Sequence, residues 1–155
     1  QRPDLQMLEI RGNVETRLRK LDAGEYDALV LAQAGLHRLG LDARIAGIIP
    51  LTVMLPAVGQ GALGIESRAD DVATRQLLAP LNHLATEQSV IAERSLLATL
   101  RGGCLAPVGA WGRIEDGLLL LDGVVLSGDG RQRIFASSSG PAASALEIGR
   151  EVARQ

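Results

Sequence analysis

The stretch that decides the fold is residues 93–109, which read ERSLLATLRGGCLAPVG. Leu96 and Leu100 lie four residues apart within it, and this spacing predicts one apolar stripe on a helix over 86–101. Two glycines follow, and glycine readily takes the left-handed conformation that ends many helices. The stretch therefore predicts a helix, a tight turn and then Cys104, which is the chain's only cysteine.

Downstream of this turn, the sequence predicts an antiparallel sheet. Three runs with strand composition cover 105–114, 118–126 and 131–138. The links between them, EDG at 115–117 and SGDG at 127–130, are typical of hairpin turns. Pro141 is a suitable first residue for a final helix. The C-terminal part is therefore predicted to be a small α+β domain with a three-stranded antiparallel sheet and two helices.

The N-terminal part alternates between strand and helix patterns. Residues 5–10 have the pattern of a short strand, and residues 26–32 are a near-continuous apolar run that predicts a second strand. Asn13 is a suitable N-cap for a helix between them. A strand, a helix and a second strand in this order predict a right-handed βαβ unit with parallel strands. The fold class is therefore α/β followed by α+β.

Composition excludes several classes of protein. The 155 residues are 46% hydrophobic, which is enough for a packed core, and the formal net charge of −2 argues against a dedicated nucleic-acid binder. A single cysteine excludes an internal disulfide, and no cluster of residues predicts a metal site. No apolar run approaches the roughly 20 residues that a membrane helix needs. We therefore expect a globular protein of a reducing compartment that binds neither nucleic acid nor membrane.

Three arginines in the N-terminal part are candidates for binding an anion. Arg11 precedes a predicted helix start, where unpaired N–H groups attract negative charge, and Arg17 lies in the second turn of that helix. Arg38 follows the second predicted strand at its C-terminal end, where ligands bind to open α/β sheets. A guanidinium group pairs with a carboxylate through two parallel hydrogen bonds. A single surface arginine is ordinarily just solvated, but three at these positions favour a site for acidic groups.

Residues 59–64 read GQGALG and match the pattern G-x-G-x-x-G of dinucleotide-binding proteins. That site needs a strand before the glycines and a helix immediately after them. Pro56 interrupts the preceding segment, and the next predicted helix begins only near Asp70. We therefore interpret residues 57–66 as a glycine-rich hinge.

A resemblance to a known family rests first on Glu93-Arg94 followed by Leu100-Arg101-Gly102-Gly103-Cys104 and Pro107. This pattern resembles the cofactor-attachment signature of the porphobilinogen deaminase (hydroxymethylbilane synthase) family. Ala106 is a departure, since the family more often has a β-branched residue there. The resemblance implies that Cys104 holds a dipyrromethane cofactor through a thioether bond. Without the resemblance, a lone cysteine is better interpreted as a small buried apolar residue.

Three further segments resemble the same family. They are RGNVETRL at 11–18, AGLHRLG at 34–40 and PAVGQGA at 56–62. The resemblance implies that Arg11, Arg17 and Arg38 hold the acetate and propionate groups of the pyrroles. Arg17 is expected to contact both the cofactor and the substrate.

The third of these segments is the glycine-rich hinge. In the family it crosses between domains at the active-site cleft. The resemblance therefore implies that Gln60 contacts the substrate and that the backbone of Gly61 and Ala62 contacts the cofactor.

The resemblance also implies a domain organisation. Residues 1–56 correspond to part of the second α/β domain, which is periplasmic-binding-protein-like. Residues 57–80 correspond to the hinge and to a segment that returns to the first domain, the rest of which is absent. Residues 81–155 correspond to the C-terminal α+β domain with the cofactor cysteine.

The reaction that the resemblance implies joins four porphobilinogen molecules head to tail, each losing ammonia, on a dipyrromethane primer in haem biosynthesis. The family's catalytic aspartate lies in the first domain and has no counterpart in this sequence. We therefore expect a C-terminal fragment of a transferase, with no catalytic residue of its own and no activity without the N-terminal half. The intact enzyme is expected to be a cytoplasmic monomer that binds porphobilinogen and the growing polypyrrole.

Two other functions are consistent with the residues alone. One is a non-enzymatic anion-binding module with an ordinary buried cysteine. The other is a nucleotide-dependent oxidoreductase that uses the glycines of 59–64. A two-pyrrole adduct on Cys104 would distinguish the deaminase from both.

Overall fold

The computed structural model describes Arg2, residues 4–103 and residues 106–155. The chain forms two compact units, Gln1–Pro50 and Leu51–Gln155. The helices are α1 (Val14–Asp22), α2 (Gln33–Arg38), α3 (Val72–Leu78), α4 (Leu84–Thr99) and α5 (Ala145–Arg154). The strands are β1 (Val108–Glu115), β2 (Leu118–Leu126) and β3 (Arg133–Pro141). Short 3₁₀ turns occupy Asp42–Arg44, Ala79–Leu81 and Ala142–Ser144.

The predicted three-stranded antiparallel sheet is confirmed. Its order is β1-β2-β3, so β1 and β3 are the edge strands. The first hairpin closes through Asp116 and Gly117, both with positive φ (50° and 77°), as a two-residue type I′ turn requires. Aspartate and glycine are among the residues that tolerate this conformation, which is why the sequence indicated the turn.

The core of the second unit lies between the sheet and the two long helices. α4 and α5 pack on each other and on one face of the sheet. The buried apolar residues that form this core are Ala92, Leu96, Ala110, Leu119, Leu121, Ala145, Ile148 and Val152. The apolar spacing in α4 thus faces the sheet, as the sequence predicts.

The crossing of α4 and α5 depends on Gly149. A Cβ atom added at this position would lie 2.3 Å from the backbone oxygen of Ala92 and 2.6 Å from the Cβ of Ser95. No real Cβ contact is so short, so the two helices can approach this closely only because residue 149 has no side chain.

The C-terminus of α4 differs from the sequence prediction. Arg101, and not one of the following glycines, takes the left-handed conformation (φ 54°). The N–H of Gly102 donates to the oxygen of Leu97, and the N–H of Arg101 donates to the oxygen of Ala98, at 3.0 Å each. This is the Schellman pattern of paired bonds. These two bonds, rather than residue preference, place the left-handed conformation at Arg101. A non-glycine residue in this conformation costs about 1–2 kcal/mol.

Two helices also begin at residues other than those predicted from the sequence. α4 begins at Leu84 with His83 as N-cap, two residues before the predicted start at 86. Pro141 ends β3 instead of starting the last helix. β3 is an edge strand, and edge strands are where a sheet tolerates proline.

The first unit is built on two short helices. Asn13 caps α1 as predicted, since its Oδ1 accepts the N–H of Thr16 at 2.9 Å. Leu18 of α1 and Leu36 of α2 are the buried apolar residues of the described part of this unit.

The strand predictions for residues 5–10 and 26–32 are wrong. Neither segment pairs with another strand in the part of the chain that the structure describes, so no βαβ unit forms there. A hydrogen bond links the two segments, since the hydroxyl of Tyr26 donates to the backbone oxygen of Glu9 at 3.0 Å. A strand obtains its backbone hydrogen bonds from a neighbour, so an apolar run alone does not make one.

We predict that Gly149→Ala lowers the free energy of unfolding by about 2 kcal/mol or more. The added methyl group forces α5 away from α4, and this overpacking exceeds the roughly 1 kcal/mol that alanine gains in helix propensity. Urea unfolding followed by circular dichroism measures the change. Gly128→Ala is the matched control, because a Cβ there meets nothing within 4 Å. A Gly149→Ala chain as stable as the control would contradict the prediction.

Candidate functional site

The glycine-rich segment is attached to the edge of the sheet. Ala57 forms an antiparallel bridge with Gly109 of β1. The N–H of Ala110 donates to the oxygen of Pro56 at 2.9 Å. These contacts cover part of an exposed strand edge and fix where the glycine-rich segment begins.

A tight turn follows this attachment. The N–H of Gln60 donates to the oxygen of Ala57 at 3.0 Å, and Gly59 has a φ of 73°. A positive φ at the third residue is characteristic of a type II turn and favours glycine there. The next helix in the described chain is α3, which begins at Val72. The strand, turn and helix that a dinucleotide site requires are therefore not formed around residues 59–64.

The buried carboxylate of Glu93 accepts a hydrogen bond from the turn at residues 57–60 and another from β1. Its Oε2 accepts the N–H of Gly59 at 2.7 Å, and its Oε1 accepts the N–H of Gly112 of β1 at 2.8 Å. Glu93 is only 7% exposed on α4. Burial raises the pKa of Glu93 above the ordinary 4.5, and the two N–H groups oppose part of that rise. One side chain thus joins a helix, a strand and the glycine-rich turn.

A cavity of about 320 Å³ lies beside this carboxylate. It is bounded by the glycine-rich segment, α4 and β1. Its lining residues are Pro56, Gly61, Ala85, Thr86, Ser89, Val90, Glu93, Trp111, Gly112, Arg113 and Ile114. Gly61 is therefore at this cavity, Gln60 is exposed, and Ala62 is half-buried with its N–H 3.4 Å from the oxygen of Gly59.

Arg113 of β1 lines the cavity, and its charge is already paired with two carboxylates. The guanidinium group of Arg113 lies over the ring of Trp111, 4.0 Å from its centroid. It also donates to Asp122 at 2.7 Å and to Glu115 at 2.8 Å. Because two carboxylates already accept from Arg113, we do not assign it to ligand binding.

Two of the three predicted arginines lie at the start of α1. The Nε of Arg17 donates to the backbone oxygen of Gly12 at 2.8 Å, which folds its side chain back over the helix N-terminus. Arg11 is the residue before Gly12, its side chain is 93% exposed, and its nearest carboxylate is Glu9 at 3.7 Å. The structure therefore brings Arg11 and Arg17 to the same helix end.

Arg38 lies at the last residue of α2 and is exposed. In the described part of the chain, neither Arg17 nor Arg38 forms an ion pair with a carboxylate. Arg44 differs, because its Nη2 lies 2.5 Å from the Oδ1 of Asp22. Arg44 is thus neutralised within the fold, as expected of a structural surface charge.

Cys104 lies outside the described residues, so its predicted attachment role stays a prediction.

Among the residues that are described, no group of three histidine, cysteine, aspartate or glutamate side chains could hold a metal ion. No helix found there is long and apolar enough to cross a membrane.

Comparison with known proteins decides the family. Residues 1–76 match the family model described as "Porphobilinogen deaminase, dipyromethane cofactor binding domain", and residues 87–155 match "Porphobilinogen deaminase, C-terminal domain". The chain belongs to the porphobilinogen deaminase family. The predicted resemblance is therefore confirmed.

Two curated members of the porphobilinogen deaminase family are similar to nearly the whole chain. A porphobilinogen deaminase of Desulforudis audaxviator is 55% identical over 152 residues, which are 98% of this chain and 49% of the relative. One of Syntrophobacter fumaroxidans is 51% identical over 151 residues, 97% of this chain and 49% of the relative. The chain thus spans about half the length of the curated relatives that it matches.

Glu93 lies within the porphobilinogen deaminase signature, and the signature alone predicts no role for it. A signal was present, because a carboxylate stands directly beside Ala92 and three residues before Leu96 on the apolar side of a predicted helix. A charged residue at a core-facing position is rarely buried without partners. The partners themselves could not be read from sequence, since they are backbone N–H groups 34 and 19 residues away.

The raised pKa of Glu93 predicts a pH dependence of stability. The folded chain holds this proton more tightly than the unfolded chain, so the free energy of unfolding should fall as pH rises from about 4.5 through the raised pKa. Glu93→Gln lacks this titration. Its unfolding free energy relative to the unmutated chain, measured by urea unfolding, should therefore increase as pH rises above about 4.5. A difference that stays constant with pH would contradict the raised pKa.

Proposed function

We propose that this chain is the C-terminal half of a hydroxymethylbilane synthase of the porphobilinogen deaminase family. The reaction joins four porphobilinogen molecules head to tail, with loss of ammonia from each, to give hydroxymethylbilane. The observation that supports this is the match of one chain to the family's cofactor-binding and C-terminal models in succession. Identity above 50% to two porphobilinogen deaminases over the shared half supports it further.

Cys104 is the proposed attachment point of the cofactor, through a thioether bond. When bound, the dipyrromethane supplies the primer pyrrole to which substrate units are added. The first unit offers groups that suit its acidic arms. Arg11 and Arg17 lie at the start of the nine-residue helix α1, where the N–H groups of the first turn also favour negative charge.

Arg11, Arg17 and Arg38 are proposed to bind the acetate and propionate groups of the pyrroles. Among the described side chains, the one ion-pair contact to these three arginines joins Arg11 to Glu9, at a long distance of 3.7 Å. A pyrrole carboxylate would therefore meet guanidinium groups that are not already neutralised. Such charge-assisted pairs are roughly twice as strong as neutral hydrogen bonds, and two parallel bonds also fix the orientation of the acid. This site is compatible with the net charge of −2, because only local charge decides binding.

The glycine-rich turn is the proposed wall of the cleft. Gln60 is exposed, and Gly61 has no side chain between its backbone and an approaching ligand. We assign Gln60 to substrate binding and the backbone of Gly61 and Ala62 to cofactor binding.

Residues 1–56 are proposed to belong to a periplasmic-binding-protein-like α/β domain, with 57–80 as the hinge and return segment and 81–155 as the C-terminal domain. The apolar side chains of the unpaired segments in the first unit support this. Leu5, Met7, Leu8 and Val30 are all more than half exposed. Strands supplied by the rest of a longer protein would cover them and complete the backbone hydrogen bonds.

We assign no catalytic residue to this chain. The carboxylate most withdrawn from water, Glu93, already accepts two backbone N–H groups and is unsuited to moving protons on a substrate. The catalytic aspartate is proposed to come from the N-terminal half. The complete enzyme is proposed to act as a cytoplasmic monomer.

Cofactor attachment and turnover test this function. The 155-residue chain alone is expected to form no hydroxymethylbilane from porphobilinogen. A fusion to the N-terminal half of the Desulforudis audaxviator relative should form it, and intact-mass spectrometry should find a two-pyrrole adduct. Cys104→Ser in the fusion should lose both. A folded fusion with neither adduct nor product would contradict the proposal and favour a non-enzymatic anion-binding module, and turnover by the isolated chain would contradict its incompleteness.

Arg17→Ala in the same fusion is expected to lower kcat/KM or cofactor loading by roughly 10- to 100-fold. Hydrogen bonds to charged groups contribute about 1.5–3 kcal/mol each, and the variant loses such a pair. Arg44→Ala is the matched control, because Arg44 is also an arginine of the first unit but already pairs with Asp22. Steady-state kinetics and intact mass measure both variants. Equal kinetics for Arg17→Ala and Arg44→Ala would contradict the assignment of Arg17.

A further inference from the structure

Glu93 makes contacts that local helix structure does not need. Its two carboxylate oxygens accept backbone N–H groups from residues 34 positions upstream and 19 positions downstream. Both bonds are short, at 2.7 and 2.8 Å, and the side chain is removed from solvent. A charge buried in this way lowers stability unless its hydrogen bonds compensate.

The chemistry of the two partners matches a carboxylate and no other common side chain. An ionised carboxyl group has two oxygens that only accept, and here each faces one N–H donor. Glutamine of the same shape has one accepting oxygen, and its NH₂ group would face an N–H. Aspartate is one methylene shorter and reaches less far from the same helix position.

The helix that bears Glu93 is the rigid side of the contact. Its neighbour Ala92 and the next-turn Leu96 are buried in the core between the sheet and α5. β1 is also fixed, because it pairs with β2 along its whole length. The glycine-rich turn, by contrast, is joined to this framework by the Ala57–Gly109 bridge, the bond from Ala110 to Pro56, and Glu93.

We infer that Glu93 is a positioning residue that clamps the turn at Gly59 onto the C-terminal unit and thereby sets the backbone of Gln60, Gly61 and Ala62 for a pyrrole ligand. The clamp acts one residue before this backbone, and Gly61 and Glu93 line the same cavity. Glu93 does not touch the reacting atoms. The part of the inference that concerns pyrroles rests on the function proposed above, whereas the clamp itself does not.

Amide hydrogen exchange of the 155-residue chain tests the clamp. In Glu93→Gln and Glu93→Asp, exchange at Gly59 and the adjoining turn is expected to rise roughly 10- to 100-fold, since each variant loses at least one charge-assisted bond. Glu87→Gln is the matched control. Glu87 lies on the same helix and is exposed, and its carboxylate accepts from the side chain of Asn82, which lies outside the turn. Unchanged exchange at the turn in both Glu93 variants would overturn the inference, whatever the function of the chain.

Kinetics of the fusion with the N-terminal half of the Desulforudis audaxviator relative test the consequence. Glu93→Gln should load cofactor more slowly and lose at least roughly tenfold in kcat/KM per folded molecule, with the folded fraction of this variant and of Glu87→Gln measured by urea unfolding. Loss of activity only in proportion to loss of folded protein would overturn the positioning role. Faster exchange with unchanged kinetics would overturn it too. A fusion with unmutated Glu93 that is inactive would contradict the proposed function instead, and exchange alone would then decide the clamp.

Discussion

The packing of α4 is the constraint on which the second unit depends. The helix lies between the sheet and α5, and on both sides backbone approaches backbone at a glycine. Gly149 allows α5 to pack closely on α4, and Gly112 allows β1 to do the same. A Cβ atom added at Gly112 would lie 2.8 Å from the backbone oxygen of Ser89. The sheet, the helices and the glycine-rich turn are all positioned relative to this one helix.

The close approach of α4 to β1 also explains how a carboxylate is tolerated inside the unit. Because Gly112 has no side chain, its N–H comes within hydrogen-bond distance of Glu93. The same carboxylate then accepts from the turn at Gly59. Desolvation still raises the pKa of Glu93, so these bonds do not fully offset the cost of burial. A residue retained at such a cost is more easily explained by the position it gives to its partners than by stability.

Parts of the fold governed by short-range rules could be predicted from sequence. Asn13 was recognised as a cap, and Asp116-Gly117 as a hairpin turn, because their preferences act within three or four residues. The strands predicted at 5–10 and 26–32 do not form in the described residues, because a strand needs a partner that its own sequence does not specify. Glycine is the usual residue in a left-handed helix cap, so the sequence predicts the cap at Gly102 or Gly103. The hydrogen bonds from the N–H groups of Gly102 and Arg101 place it at Arg101 instead.

The sequence by itself determined the family and the antiparallel hairpins, since both depend on residue type and local spacing, and it predicts which arginines would bind acidic groups. Only the tertiary structure decided which arginines are already paired with carboxylates. It pairs Arg44 with Asp22 and encloses Arg113 between two carboxylates, while Arg17 and Arg38 form no ion pair in the described residues. It also gave Glu93 two partners 34 and 19 residues away. Such contacts join segments far apart in the chain, so they exist only once the packing of α4 has brought those segments together.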